Sequence, residues 1–100
     1  MEPDTSRLKP FQKRSRLEII RDILKVIKSS NNAISPTKLL RLSNLSFQMF
    51  DEYLGELEEK GLVEVKPYKG KRKIYTITEK GRIFLDKYEN FVLFLRDFGL

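Results

Sequence analysis

Residues 62–78 read LVEVKPYKGKRKIYTIT. Two runs rich in β-branched and aromatic residues, Leu62–Lys66 and Ile74–Ile77, flank a turn centred on Lys69-Gly70. That pattern predicts a β-hairpin. Lys66, Lys69, Lys71, Arg72 and Lys73 crowd its tip, and Glu64 is the only acid nearby. One or two lysines are enough to keep a strand edge from pairing with another chain. Five bases at one tip predict a different task, contact with the phosphate backbone of a nucleic acid.

The segments before the hairpin have helical spacing. Leu17, Ile20, Ile23, Leu24 and Ile27 form one apolar stripe over residues 15–28, with Arg16, Arg21, Asp22, Lys25 and Lys28 mainly on the other side. Ser29-Ser30-Asn31-Asn32 reads as a turn, and Ala33-Ile34 as a very short strand. Ser35 is placed to cap a second helix with Pro36 at its first position, where no backbone N–H is needed. Leu39 and Leu40 should face inward there, and Lys38 and Arg41 outward. A turn at residues 42–45 leads to Ser46, the expected cap of a third helix that stops at Gly61. Phe47, Phe50, Leu54 and Leu57, spaced three, four and three, are expected in the core.

After the hairpin, Thr78 caps a last helix that continues to about Phe98. Phe84, Tyr88, Phe91, Leu95 and Phe98 follow an a/d heptad spacing, and Leu85, Val92 and Phe94 widen the apolar surface. Docking on the first helix needs only one stripe. The excess predicts a homodimer interface over about two heptads, since large exposed apolar patches usually mark contacts.

The order is helix, short strand, helix, turn, helix, hairpin, helix. It predicts an α+β, mainly α, fold: a winged helix-turn-helix with a C-terminal coiled-coil-like helix. Three segments follow: a basic flexible tail over residues 1–14, the winged helix-turn-helix over 15–77 and the dimerisation helix over 78–100. In a helix-turn-helix the second helix of the pair enters the major groove and its partner crosses the backbone. Candidate nucleic-acid contacts are therefore Ser46 and Gln48 at the start of the third helix, Lys38 and Arg41 on the second, and Lys66, Lys69, Lys71, Arg72 and Lys73 in the wing.

Composition agrees with a polyanionic partner. Net charge is +6 and the pI about 9.7. There is no cysteine and no histidine, which removes thiol chemistry, disulfides and the usual zinc and triad residues. No enzymatic activity, cofactor or metal is expected. Gly70 in YKGKRK is a turn glycine and not part of a phosphate loop. No apolar run approaches the ~20 residues of a membrane span, and residues 1–14 lack a signal-peptide core. A cytoplasmic location is expected. Residues 7–16 carry five bases and no acid, so the tail is either a solubilising segment or an arm on nucleic acid.

The runs RLEII (16–20), NLSF (44–47), LEEKGLVE (57–64) and YTITEKGRIFL (75–85) resemble small archaeal winged-helix DNA-binding proteins with a C-terminal dimerising helix. Some members of that family are abundant DNA-binding or chromatin proteins, and others are presumed transcriptional regulators. The resemblance implies Ser46 and Gln48 in the groove, Lys69, Lys71 and Arg72 in the wing, and a dimer contact from Glu79 onward. Two departures matter. The C-terminal helix is shorter than in members with long coiled-coil tails, and the charge of the third helix differs. Family members usually carry lysines or other polar donors on the exposed face of the third helix, whereas residues 46–60 here hold five acids and one base. That charge leaves a second expectation open, a winged-helix protein–protein adaptor that does not use its third helix on DNA.

Overall fold

The computed structural model describes residues 14–100, so the expected tail lies outside the described residues except for Arg14. The elements are α1 (Arg16–Ser29), β1 (Ala33–Ile34), α2 (Pro36–Ser43), α3 (Phe47–Glu59), β2 (Val63–Pro67), β3 (Lys73–Ile77) and α4 (Glu79–Asp97). This is the expected α+β architecture, mainly helical.

Local chemistry fixes the element boundaries. Ser15 and Glu18 form a reciprocal capping box: the Glu18 N–H donates to Ser15 Oγ at 3.1 Å, and the Ser15 N–H donates to Glu18 Oε1 at 2.8 Å. Ser35, Ser46 and Thr78 cap α2, α3 and α4 by accepting from the N–H groups of Lys38, Met49 and Gly81 at 3.2, 3.2 and 2.9 Å. Each satisfies one donor that the first turn of a helix leaves without a partner. Asn44, in the left-handed region at φ 58°, ends α2, and Gly61 at φ 77° follows α3.

The three strands pair antiparallel in the order β1-β3-β2, with Ile34 and Val65 both opposite Tyr75. Ile23, Leu24 and Ile27 of α1, Leu39 of α2, Leu54 and Leu57 of α3, Val63 of β2 and Leu85 of α4 are all buried in one core. Burying each such side chain contributes about 1.5–3 kcal/mol. Lys25 and Arg21 meet Glu89 across the α1–α4 seam at 3.2 and 3.6 Å, and Lys28 meets Asp86 at 3.6 Å. Such partly exposed pairs add at most ~1 kcal/mol each.

The structure corrects three expectations. The stripe of α1 includes Ile19, which is buried, and not Leu17, which is half exposed. Leu17 stands on the first turn, at one flank of a stripe centred on Ile23 and Ile27. The helix-turn-helix turn is shorter than residues 42–45, because α2 continues through Ser43. Phe47 is 70% exposed and does not enter the core. Phe50 closes that end of the core edge-on against Tyr75, with ring centroids 6.2 Å apart, and Phe47 lies one turn beyond it.

Candidate nucleic-acid interface

The wing is a tight hairpin. The Tyr68 N–H donates to the Arg72 carbonyl at 3.0 Å and the Arg72 N–H to that of Lys69 at 2.9 Å, while Gly70 takes φ 57°. A left-handed residue at this point is cheapest as glycine, which has no Cβ to clash. The turn holds Lys69, Lys71, Arg72 and Lys73 exposed. Among the described residues, Lys66 alone of the five wing bases has an acid within 4 Å, Glu64 at 3.8 Å. The Lys69 ammonium lies 5.5 Å from the centre of the Tyr68 ring. Arg72 and Lys73 also line a groove of about 620 Å³ shared with Ser35, Pro36 and Thr37. The wing base is thereby brought beside the start of α2.

On the helix pair, Lys38 and Arg41 are exposed on α2, and Gln48 is exposed on the first turn of α3. Ser46 is also exposed; its oxygen accepts the cap bond of α3, which leaves its hydroxyl proton and a second lone pair to offer outward. The acids of α3 divide by helix face. Glu56 is neutralised by Arg16 and by Lys60, the latter at 3.6 Å, and the Arg16 guanidinium also lies over the Tyr53 ring, 5.9 Å from its centre. Asp51, Glu52, Glu58 and Glu59 stay exposed. Burial raises the Tyr75 hydroxyl above its ordinary range, and the negative charges of Glu58 and Asp51 add to the rise. The Asp51 and Glu58 charges of α3 are thus felt at Tyr75 in the middle of β3.

Arg14 is a contact that sequence reasoning did not find. Its Nη1 donates to Asp22 Oδ2 at 2.8 Å, and its Nη2 donates to the carbonyls of Ser43 and Asn44 at 3.0 and 3.3 Å. It thus ties the start of α1 to the C-terminus of α2, where carbonyl groups lack helical partners and favour a cation. Residues 29 positions apart meet here, and only the basic run around Arg14 signalled it.

The predicted dimer stripe splits along α4. Phe84 and Tyr88 are half-buried and stacked, with centroids 6.4 Å apart. Beyond them Phe91 and Phe98 are 58% and 67% exposed, and Leu95 is half-buried. Phe94 joins this end: its ring lies 6.4 Å from Phe91 and 5.0 Å from Phe98. Leu93, outside the predicted stripe, is half exposed and borders a groove between α1 and α4.

No helix among the described residues is long and apolar enough to cross a membrane. No group of three or more acidic residues among them is arranged to hold a metal ion.

A three-stranded sheet with a basic hairpin beside a helix-turn-helix defines a winged-helix protein. The model of the winged helix-turn-helix family matches residues 13–95, and the chain belongs to that family. It is 33% identical over 80 residues to the uncharacterised protein MJ0290 of Methanocaldococcus jannaschii, a match that takes in 80% of this chain and 35% of that one. The chain thus spans about a third of that relative's length. Among solved structures it is similar to Sso10a-2, a DNA-binding protein from Sulfolobus solfataricus, with a TM-score of 0.70, 27% identity and 85% of each chain covered. It also shares the fold of F93 from STIV, a winged-helix DNA-binding protein, with a TM-score of 0.68 and 17% identity over 80% of this chain and 91% of that one.

Proposed function

We propose that this protein binds double-stranded DNA as a homodimer and acts as a transcriptional regulator or a chromatin-associated protein. The observation that carries this reading is the wing: five exposed bases on one hairpin, four of them without an acidic neighbour within 4 Å among the described residues. Such a cluster is repelled by itself and is relieved by phosphate, which releases condensed counterions on contact. Lys38 and Arg41 add backbone contacts from α2. Ser46 and Gln48 enter the major groove, where Gln48 can pair with adenine N6 and N7. The likeness to Sso10a-2 supports the same assignment.

Pairing through Phe84, Tyr88, Phe91, Leu95 and Phe98 covers the aromatic end of α4 and sets the spacing between two half-sites. The exposure of Phe91, Phe94 and Phe98 in the single chain favours it.

The adaptor reading keeps one specific support, the four exposed acids of α3. A gel-shift with random-sequence duplex at two salt concentrations separates the two. DNA binding that weakens steeply as salt rises is expected. Absence of a shifted band at low salt would favour the adaptor.

A further inference from the structure

Phe47 is the first residue of α3, next to the cap Ser46 and to Gln48. At 70% it is more exposed than every other large apolar residue among those described except the C-terminal Leu100. Packing does not explain it, because Phe50 and Tyr75 already close that end of the core. Its ring instead stands at the end of the helix that a winged helix-turn-helix directs into the major groove.

The chemistry available there is narrow. From Phe47 to Glu59, FQMFDEYLGELEE, there is no lysine or arginine. Guanine offers two acceptors in the major groove, O6 and N7, and is read mainly by the two-pronged donors of arginine or lysine. This helix has none. The groups at its first turn suit the other base pair: the Gln48 amide matches adenine N6 and N7, and an apolar ring matches the C5 methyl of thymine. Among the four ordinary DNA bases, thymine alone carries that methyl group.

Resting on the DNA-binding reading above, we propose that Phe47 is a specificity-determining residue that contacts the thymine methyl group, so that α3 reads A·T pairs in the major groove. The wing supplies affinity without regard to sequence, and Phe47 with Gln48 supplies the preference.

The test compares an alternating dA·dT duplex with the same duplex built from deoxyuridine. The two differ only by the major-groove methyl group, while the minor-groove edges and phosphates are the same. Fluorescence anisotropy with the full chain at low salt should show affinity about fifteenfold lower for the uracil duplex, the effect of losing one methyl contact, about fourfold, at each of the two subunits of a bound dimer. Phe47→Ala should fold normally, since the ring is outside the core, and should bind both duplexes equally. Equal affinity of the wild type for the two duplexes overturns the role of Phe47 and leaves the wing-based reading intact. A Phe47→Ala variant that still discriminates overturns it as well. A wild type that binds neither duplex removes the DNA-binding reading and this inference with it.

Discussion

Gly81, in the first turn of α4, lies against the carbonyl of Leu62 so closely that a Cβ there would sit 2.3 Å from that oxygen and 2.9 Å from Ile77 Cγ1. The same junction is bonded twice by Thr78, whose N–H donates to the Leu62 carbonyl at 3.2 Å and whose hydroxyl donates to that of Gly61 at 2.7 Å. The last helix is thus fastened to the start of the wing by a close backbone approach that only glycine allows.

Gly81→Ala should therefore destabilise the fold by about 1–3 kcal/mol, the usual effect of overpacking. The melting temperature should fall by roughly 4–8 °C for each kcal/mol. Gly55 provides the contrast. It lies mid-α3, where an added Cβ meets nothing within 4 Å, so Gly55→Ala should stabilise by ~0.5–1 kcal/mol. Thermal melts of the two variants that moved in the same direction would refute this account of the two glycines.

Much of the fold was legible because its signals are local. Ser35-Pro36, Ser46, Gly61, Lys69-Gly70 and Thr78 mark element ends through capping and turn chemistry that depends on a few neighbouring residues. What was not legible depends on partners distant in sequence. Phe47 keeps perfect helical spacing with Phe50, Leu54 and Leu57, yet periodicity does not say where the core ends along the helix. Gly81 looks like a weak spot in a helix until Leu62 is set beside it. Arg14 reads from sequence as part of the basic tail, because its acceptors, the Ser43 and Asn44 carbonyls, lie at the end of another helix. The candidate contacts of the wing were readable from charge alone, whereas the sorting of the α3 acids needed Arg16 beside Glu56.

Arg14→Met should test the tie between α1 and the helix-turn-helix turn. It removes the donor to the Ser43 and Asn44 carbonyls and one partner of Asp22. Hydrogen bonds to charged groups contribute about 1.5–3 kcal/mol. Arg21 still pairs with Asp22 at 2.7 Å, so the expected loss is nearer ~1–2 kcal/mol. Urea unfolding should show a lower midpoint with the same slope. An unchanged midpoint would mean that Arg14 is only a surface contact.

Phe91→Glu addresses assembly. Phe91 sits mid-stripe and is 58% exposed in the single chain, so the charge should leave the helical content intact while it disrupts pairing. Each aromatic side chain buried in a dimer contributes on the order of 1.5–3 kcal/mol. Sedimentation at micromolar concentration should give a wild-type dimer and a variant monomer. Because two linked half-sites gain from effective concentration, the variant should also bind DNA more weakly. A wild-type chain that sediments as a monomer would end the proposal of pairing through α4.

The most direct measurement of DNA binding through the wing is a salt series on random-sequence duplex, with wild type beside a variant carrying Lys69→Ala, Lys71→Ala and Arg72→Ala. Each phosphate neutralised adds roughly −0.9 to the slope of log affinity against log salt. Phosphate contact through the wing should give weaker binding by the variant to every duplex and a slope flatter by about 2–3 units. Equal affinities and equal slopes for the two proteins would contradict it.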